Sequence, residues 1–408
     1  MGQQDNSEPS RRRSSDNSRP HASHDVRSTG LPNRSGVNAI SELRIAVLTW
    51  RDLDHPEAGG AEVFAERTAA VMAERGHQVT LFSSAFAGGA PEVHRHGFRI
   101  VRRGGRYSVY PHAMWFMWRH RREFDVVIDV QNGVPFWSPL VYRRPVVALV
   151  HHVHREQWFS FFPRPVADFG WFLESRIAPF VYRKATYVTV SQSSRRELET
   201  VRVPAERVSV IYSGNEAPPR ILANEPTLDR GYEIVALGRL VPHKRVELAI
   251  DAVAALRQRF PEISLTVIGG GDWMGRLVAH AAERGVADRV KFAGFVDDET
   301  KHKSLEQAAV MAMPSMKEGW GLTIVEAGYH GVPAVAFRYA GGTQESILEG
   351  ETGLLVDSDA EFIDAIGHLL GHQAERTKLG IHAREFALQF NWERTGTELS
   401  ELIESLVN

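Results

Sequence analysis

The sequence has no cysteine, which excludes disulfide scaffolds, thiolate nucleophiles, iron–sulfur clusters and thiolate zinc sites together. It has no run of about 18 apolar residues, so no membrane span is expected. Residues 1–40 lack Phe, Trp and Tyr and are crowded with Ser, Asn, Asp, Arg and Pro, a composition too polar to offset the entropy of ordering. No apolar stretch follows Arg11–Arg13 to make an export signal, and Asn6 stands where a myristoylation motif needs Ser or Thr. The expected location is the cytoplasm, with the inner face of the cell membrane within reach. Excess charge of either sign is also missing: 48 Lys plus Arg against 50 Asp plus Glu leave −2, which gives no reason to expect a nucleic-acid partner.

What is present suits a large soluble α/β protein. The 408 residues exceed one ordinary domain, and 43% of them are hydrophobic. Short branched runs at Leu43–Thr49, Val79–Phe82, Asp125–Asp129, Val146–Val150, Tyr187–Val190 and Val208–Ile211 alternate with helix-length segments, the pattern of a doubly wound parallel sheet. A polar, Pro-rich stretch follows, and the pattern restarts at Glu233–Leu237, Leu265–Ile268, Val290–Phe292, Val310–Met313 and Pro333–Phe337. The expected layout is a polar tail over 1–42, a first Rossmann-like domain over 43–213, a linker over 214–230, a second domain over 231–388 and a terminal helix over 389–408. Open α/β sheets bind ligands beyond the carboxyl ends of their strands, so two facing domains predict an interdomain cleft.

The most specific constellation runs from Pro314 through Ser315-Met-Lys-Glu318-Gly-Trp-Gly-Leu-Thr-Ile-Val-Glu326 to Pro333. Glu318 falls in a Gly-flanked loop after a strand. Glu326 lies in the helix that begins near Leu322, on one face with Thr323. The first N–H groups of that helix, at Gly321, Leu322 and Thr323, suit an anion. Spacing alone leaves a capped helix with two solvent carboxylates as an equal alternative.

Two Glu residues in this setting resemble the signature of the retaining glycosyltransferases of family four, whose GT-B fold faces two Rossmann-like domains across a cleft. The resemblance extends to Gly59-Gly60-Ala-Glu62, Gly238-Arg239-Leu240 with Lys244, Gly341-Gly342-Thr-Gln-Glu345 and Asn391-Trp392-Glu393. It departs at Trp320, where Phe is commoner; at Arg245, where Gly often follows the Lys; and at Tyr212–Glu216, where an Asn-Gly turn is usual. The resemblance implies a nucleotide-sugar donor as co-substrate, no cofactor and no metal. It implies that Arg239 and Lys244 clamp the diphosphate, that Glu318 holds donor-sugar hydroxyls, that Glu326 accepts the ribose hydroxyls, and that the backbone near Phe295 and Val296 meets the base. It also implies that the terminal helix crosses back to the first domain.

In the first domain, His151, His152 and His154 follow a strand, and His151 is the best match to the family's strand-end histidine. A His-based zinc site is the rival reading, but no third ligand is apparent at a suitable spacing. Asp129, Gln131 and Asn132 follow another strand and are candidates, with His154, for the acceptor side; loop capping explains them nearly as well. Gly59 and Gly60 allow close approach to a phosphate, yet no Gly-x-Gly-x-x-Gly is present there and no acid ends the next strand, which disfavours a dinucleotide dehydrogenase. The acceptor is expected to be a glycan, a lipid-linked glycan or a small molecule. Eight Arg between residues 94 and 122, without Asp or Glu, and 18 aromatics between Tyr107 and Tyr182 suggest peripheral contact with an anionic membrane; a core helix beside a solvated Arg cluster is the plainer alternative. A GT-B-fold epimerase and a silent nucleotide-sugar-binding subunit are the competing functions.

Overall fold

The computed structural model describes residues 42–216 and 230–407. The expected tail thus lies outside the described residues up to Ser41, as does the expected linker from 217 to 229. The first sheet comprises β1 (Arg44–Leu48), β2 (Gln78–Ser83), β3 (Glu92–Arg95), β4 (Phe98–Arg102), β5 (Val126–Gln131), β6 (Val146–Val150), β7 (Thr186–Thr189) and β8 (Val208–Val210). Its spatial order is 3-4-2-1-5-6-7-8, parallel throughout except where β3 meets β4. The second sheet comprises β9 (Glu233–Leu237), β10 (Ser264–Ile268), β11 (Val290–Gly294), β12 (Val310–Met313), β13 (Ala334–Phe337) and β14 (Gly353–Val356), all parallel, in the order 11-10-9-12-13-14.

The strands read as near-continuous apolar runs because helices cover both faces of each sheet. On one side of the first sheet Ile45, Val47, Val130 and Leu149 meet Phe64 and Met72 of the helix Gly60–Glu74; on the other, Ala46, Leu48, Val127 and Ala148 meet Ala113, Met117 and Tyr182. β1 lies between β2 and β5, and β9 between β10 and β12, so each sheet has a switch point at which consecutive crossovers diverge. The loops after β1, β5 and β6 and those after β9, β11 and β12, with the helix that follows β12, carry the candidate residues.

The final helix, Trp392–Val407, belongs to the first domain's core. Its buried positions Trp392, Thr395, Leu399 and Ile403 form one stripe at helical spacing. That stripe packs on the helix Gly60–Glu74, with Trp392 edge-on to Phe64 at 6.1 Å, Arg75 Nε donating to Ser400 Oγ at 3.1 Å and His77 Nε2 3.0 Å from the same hydroxyl.

Two strands, β3 and β4, occupy what the sequence presents as a basic patch. His96 and Gly97, both at positive φ, close them as a tight hairpin. This edge carries arginines, and three are neutralised locally. Arg95 bonds Glu66 at 2.7 Å and Asp54 at 2.6 Å, Arg99 bonds Glu92 at 2.7 Å, and buried Arg102 bonds buried Asp52 at 2.8 Å. Three of the eight arginines are thus held in ion pairs within the domain.

Candidate functional site

On the second domain, buried β12 delivers the loop Pro314–Gly321 to the cleft. Its course is fixed by Glu318 N–H donating to Ala340 O at 2.7 Å and Gly342 N–H donating to Glu318 O at 2.9 Å. The Glu318 carboxylate is thereby set against Lys244, whose Nζ is 2.5 Å from Oε1. Lys244 closes the short turn Pro242–Lys244 after β9. A small pocket opens beside it, lined by Gly238, Arg239, Leu240, Lys244, Met313 and Ser315 among others. Arg245, next in the chain, sits at φ 50° and ψ 38°, the left-handed region where glycine is at ease. Its side chain explains the tolerance: it pairs with Asp359 at 2.6 Å, donates to the Tyr339 hydroxyl at 3.0 Å and lies 5.1 Å from the Phe337 ring centre.

The helix Leu322–Tyr329 follows, with Gly321 at φ 94° as its N-cap. Internal hydrogen bonding begins with Ile324 N–H to Gly321 O at 2.9 Å, so helix geometry directs the preceding N–H groups at the cleft end. Thr323 is partly exposed at this end, one turn before Glu326. The Glu326 carboxylate accepts from Lys301 Nζ at 2.9 Å, and Lys301 also meets Asp298 at 2.9 Å. Burial works against the Lys301 charge, but Glu326 and Asp298 outweigh it and its pKa is raised. Lys301 belongs to the helix Asp298–Gln307, just after the loop that holds Phe295 and Val296. The Phe295 side chain is 95% exposed at the rim.

The first domain meets this half directly. Arg239 reaches across and donates Nη2–H to Glu57 O at 3.0 Å. It lies so close to Gly59 that a Cβ there would come within 2.9 Å of Nη2, and the guanidinium would have to shift to admit one. Gly59 N–H donates to Glu62 Oε2 at 2.8 Å, and burial raises the Glu62 pKa. Gly60 faces the Leu322 side chain. His151 leaves β6 edge-on to Phe64, centroids 5.3 Å apart at 89°, and neither ring nitrogen has a hydrogen-bond partner among the described residues. Burial pushes its pKa down to about 4, so it is neutral. Its carbonyl accepts from Ser194 Oγ at 2.7 Å, and Gly319 of the Glu318 loop packs against the same carbonyl. His151 and the Glu318 loop are therefore neighbours.

The His152 and His154 rings lie 4.3 Å apart, tilted by 35°, and burial holds the His152 pKa well below its usual value. Glu174 anchors His154, accepting from its backbone N–H at 2.9 Å and lying 3.1 Å from Nδ1, while its other oxygen accepts from Trp158 Nε1 at 2.7 Å. Gln131 is buried at the end of β5 and Asn132 partly so, beside the Trp158 ring that covers Gly133. Asp129 requires a correction. It is fully buried and accepts from Phe136 N–H, from Ser138 N–H and Oγ–H and from the Tyr182 hydroxyl, so it shapes the loop after β5 from beneath and presents nothing to an acceptor. Among the described residues no group of three or more His, Asp or Glu is arranged to hold a metal ion.

Three contacts that the sequence did not suggest join the domains. Lys317 Nζ donates to Val153 O at 2.7 Å and pairs with Glu156 at 2.9 Å and Glu197 at 3.1 Å. Glu345 accepts from the N–H groups of Gln192 at 2.7 Å and Ser193 at 2.8 Å, capping the helix Gln192–Thr200 from the other domain. Asn215 Nδ2 donates to Leu322 O at 3.0 Å. Together they close the cleft around Glu318 and His151.

Comparisons with known proteins agree with this architecture. Residues 58–216 match the family model for glycosyltransferase family 4, and residues 220–386 match that for glycosyl transferases group 1. A D-inositol 3-phosphate glycosyltransferase of Nocardia farcinica is 27% identical over 91% of this chain and 89% of its own length. A GDP-mannose-dependent α-(1-6)-phosphatidylinositol monomannoside mannosyltransferase of Mycolicibacterium smegmatis is 36% identical over 42% of this chain; that match spans about half of the relative, 47% of its length. Among solved structures, sucrose-phosphate synthase from Thermosynechococcus elongatus superposes with a TM-score of 0.75 at 21% identity, covering 90% of this chain and 99% of that one. Anabaena HepE in complex with UDP and glucose gives 0.70 at 21% identity, covering 89% and 100%. These structures share the GT-B arrangement of two facing Rossmann-like domains.

Proposed function

Because the chain belongs to glycosyltransferase family 4, we propose that it moves a glycosyl group from a nucleotide sugar to an acceptor hydroxyl with retention of anomeric configuration. The observation that carries the reading is the convergence of Lys244, Glu318 and Arg239 beside the start of the helix Leu322–Tyr329. Departure of a nucleoside diphosphate builds negative charge on the β-phosphate, and two fixed cations with preoriented N–H groups stabilise it most where the charge develops. Lys244 turns from Glu318 to the phosphate when donor enters, leaving Glu318 to hold sugar hydroxyls. Glu326 accepts the ribose hydroxyls, and the backbone beside Phe295 and Val296 meets the base. His151, neutral beside the Glu318 loop, orients a hydroxyl near the anomeric carbon. The family that the chain resembles has no evident enzymatic nucleophile on the far face of the sugar, so the acceptor attacks on the face the diphosphate leaves, and the leaving phosphate takes its proton. That chemistry requires no metal.

For the acceptor we propose an inositol-containing compound, since the two relatives above carry inositol in the acceptors their names state. Gln131, Asn132 and His154 would meet it from the first domain, at the inner face of the membrane when the acceptor is lipid-linked. The test is release of nucleoside diphosphate from a panel of UDP- and GDP-sugars, with inositol phosphates or phosphatidylinositol mannosides as acceptors and a chelator present. Acceptor-dependent release from one donor, lost in Lys244→Ala, with an α-linked product from an α-linked donor, is the expected result. Turnover unchanged in Lys244→Ala, or an inverted product, would overturn it.

A further inference from the structure

The helix Arg164–Phe172 of the first domain is inside out. Its small residues, Ala167 and Gly170, face inward, and Gly170 lies so tightly on the Trp158 ring that a Cβ there would stand 2.4 Å from it. Its large residues face outward: Val166, Phe169 and Phe172 are 48%, 62% and 50% exposed, and Phe159, Phe162 and Phe180 beside them are exposed as well. Isolated surface aromatics are ordinary, but here six large apolar side chains are exposed between residues 159 and 180, on short helices that follow one another in the chain. Its rim is cationic. Arg155, Arg164, Arg176, Arg183 and Lys184 are all exposed there, with Arg164 over Phe159 at 5.4 Å and Arg183 over Phe180 at 4.9 Å. Residues 155–184 carry five Lys and Arg against three Asp and Glu; Asp168 pairs with Arg164, Glu156 with Lys317, and Glu174 is held by His154 and Trp158. The local field at this patch is therefore positive although the whole chain is at −2.

We propose that this aromatic patch docks on an anionic lipid bilayer, the phenyl rings entering the interface and the arginines meeting lipid phosphates. Charge complementarity selects that occupant, because an apolar centre with a cationic rim matches acyl chains beneath anionic headgroups. A second copy of the same positive rim would be repelled. The patch is also joined to the cleft: Glu174 ties it to His154, and Trp158 lies between Gly170 and Gly133. Docking there would hold the acceptor side of the cleft against the membrane plane. This rests on the reading that the acceptor is lipid-linked.

The test is sedimentation of the full chain with vesicles of phosphatidylcholine, with and without phosphatidylglycerol. Binding only to the anionic vesicles, weakened by added salt, is expected. Phe169→Ser with Phe172→Ser should abolish it, and Arg176→Gln, Arg183→Gln and Lys184→Gln together should weaken it about a hundredfold, at roughly 1 kcal/mol per cation. Both variants should keep wild-type turnover with a water-soluble acceptor, which separates failure of docking from failure of the transferase reading. No binding by the wild type, equal binding to neutral vesicles, undiminished binding by the charge variant, or a wild-type dimer that the Phe→Ser variant dissolves would each overturn the proposal.

Discussion

Glu318 and Glu326, beside the strand ends of the second domain, each have a lysine at hydrogen-bond distance, and Arg239 stands nearby. At the strand ends of the first domain the imidazoles of His151 and His152 are held neutral by burial, and Gln131 is an uncharged amide. Both halves use one architecture, so sheet topology does not set this difference; the loop residues do. A charged, already compensated site suits a ligand that arrives with its own charge and exchanges partners, whereas a neutral buried site suits hydroxyl groups, which need hydrogen bonds without a counter-ion.

The contrast breaks most visibly at the ion pair. Lys244→Ala and Glu318→Ala should each lower nucleoside diphosphate release by at least about a hundredfold with no loss of thermal stability, the range for removing one preoriented group that stabilises developing charge. If His151→Gln costs as much in kcat and also adds a strong salt dependence, the first domain is not the neutral half. A pH titration of folding tests the same point. The folded pKa of His151 lies below its unfolded value, so the unfolded chain binds the proton first; stability is full above about pH 6.5 and falls toward pH 4 by up to about 3 kcal/mol. His151→Gln should flatten that part of the urea-denaturation profile, and an unchanged slope would count against a neutral buried imidazole.

Lys301 gives a finer test. Held by Glu326, it acts as a positioning residue, and Lys301→Met should raise the donor KM about tenfold with little change in kcat, partly rescued by Arg. The penalty should vanish on a donor lacking the ribose hydroxyls. A penalty that persists would mean that Lys301 acts elsewhere. The smallest effect concerns Arg245. Replacement by Ala keeps the left-handed backbone and loses the contacts to Asp359 and Tyr339, whereas Gly loses the contacts and relieves the strain, so the Gly variant should be more stable than the Ala variant by about 1 kcal/mol in denaturant titration.

The central strands were legible because they are buried on both faces and so read as uninterrupted apolar runs, as in Val146–Val150. β3 and β4 were not, because Arg95, Arg99 and Arg102 interrupt their apolar pattern and their turn uses His96-Gly97 in place of the usual Asn-Gly. Glu318, Glu326, Lys244 and Arg239 were found because a contiguous pattern surrounds them. Lys301, Lys317 and Glu345 escaped as partners because each meets groups distant in the chain: Lys301 meets Glu326 within the second domain, and Lys317 and Glu345 meet the first domain, so no local spacing encodes these contacts. Asp129 was misjudged because a strand-end carboxylate looks the same in sequence whether it faces the cleft or the loop beneath it.

The terminal helix bears on how the chain is made. The first sheet is complete at Val210, yet the surface of the helix Gly60–Glu74 that Trp392, Leu399 and Ile403 cover stays bare until those residues are made. During vectorial synthesis the early domain must therefore wait, with apolar surface open to water, while the whole second domain emerges. A nascent chain stalled before Trp392 should be a chaperone client, although every strand of its first sheet has already left the ribosome.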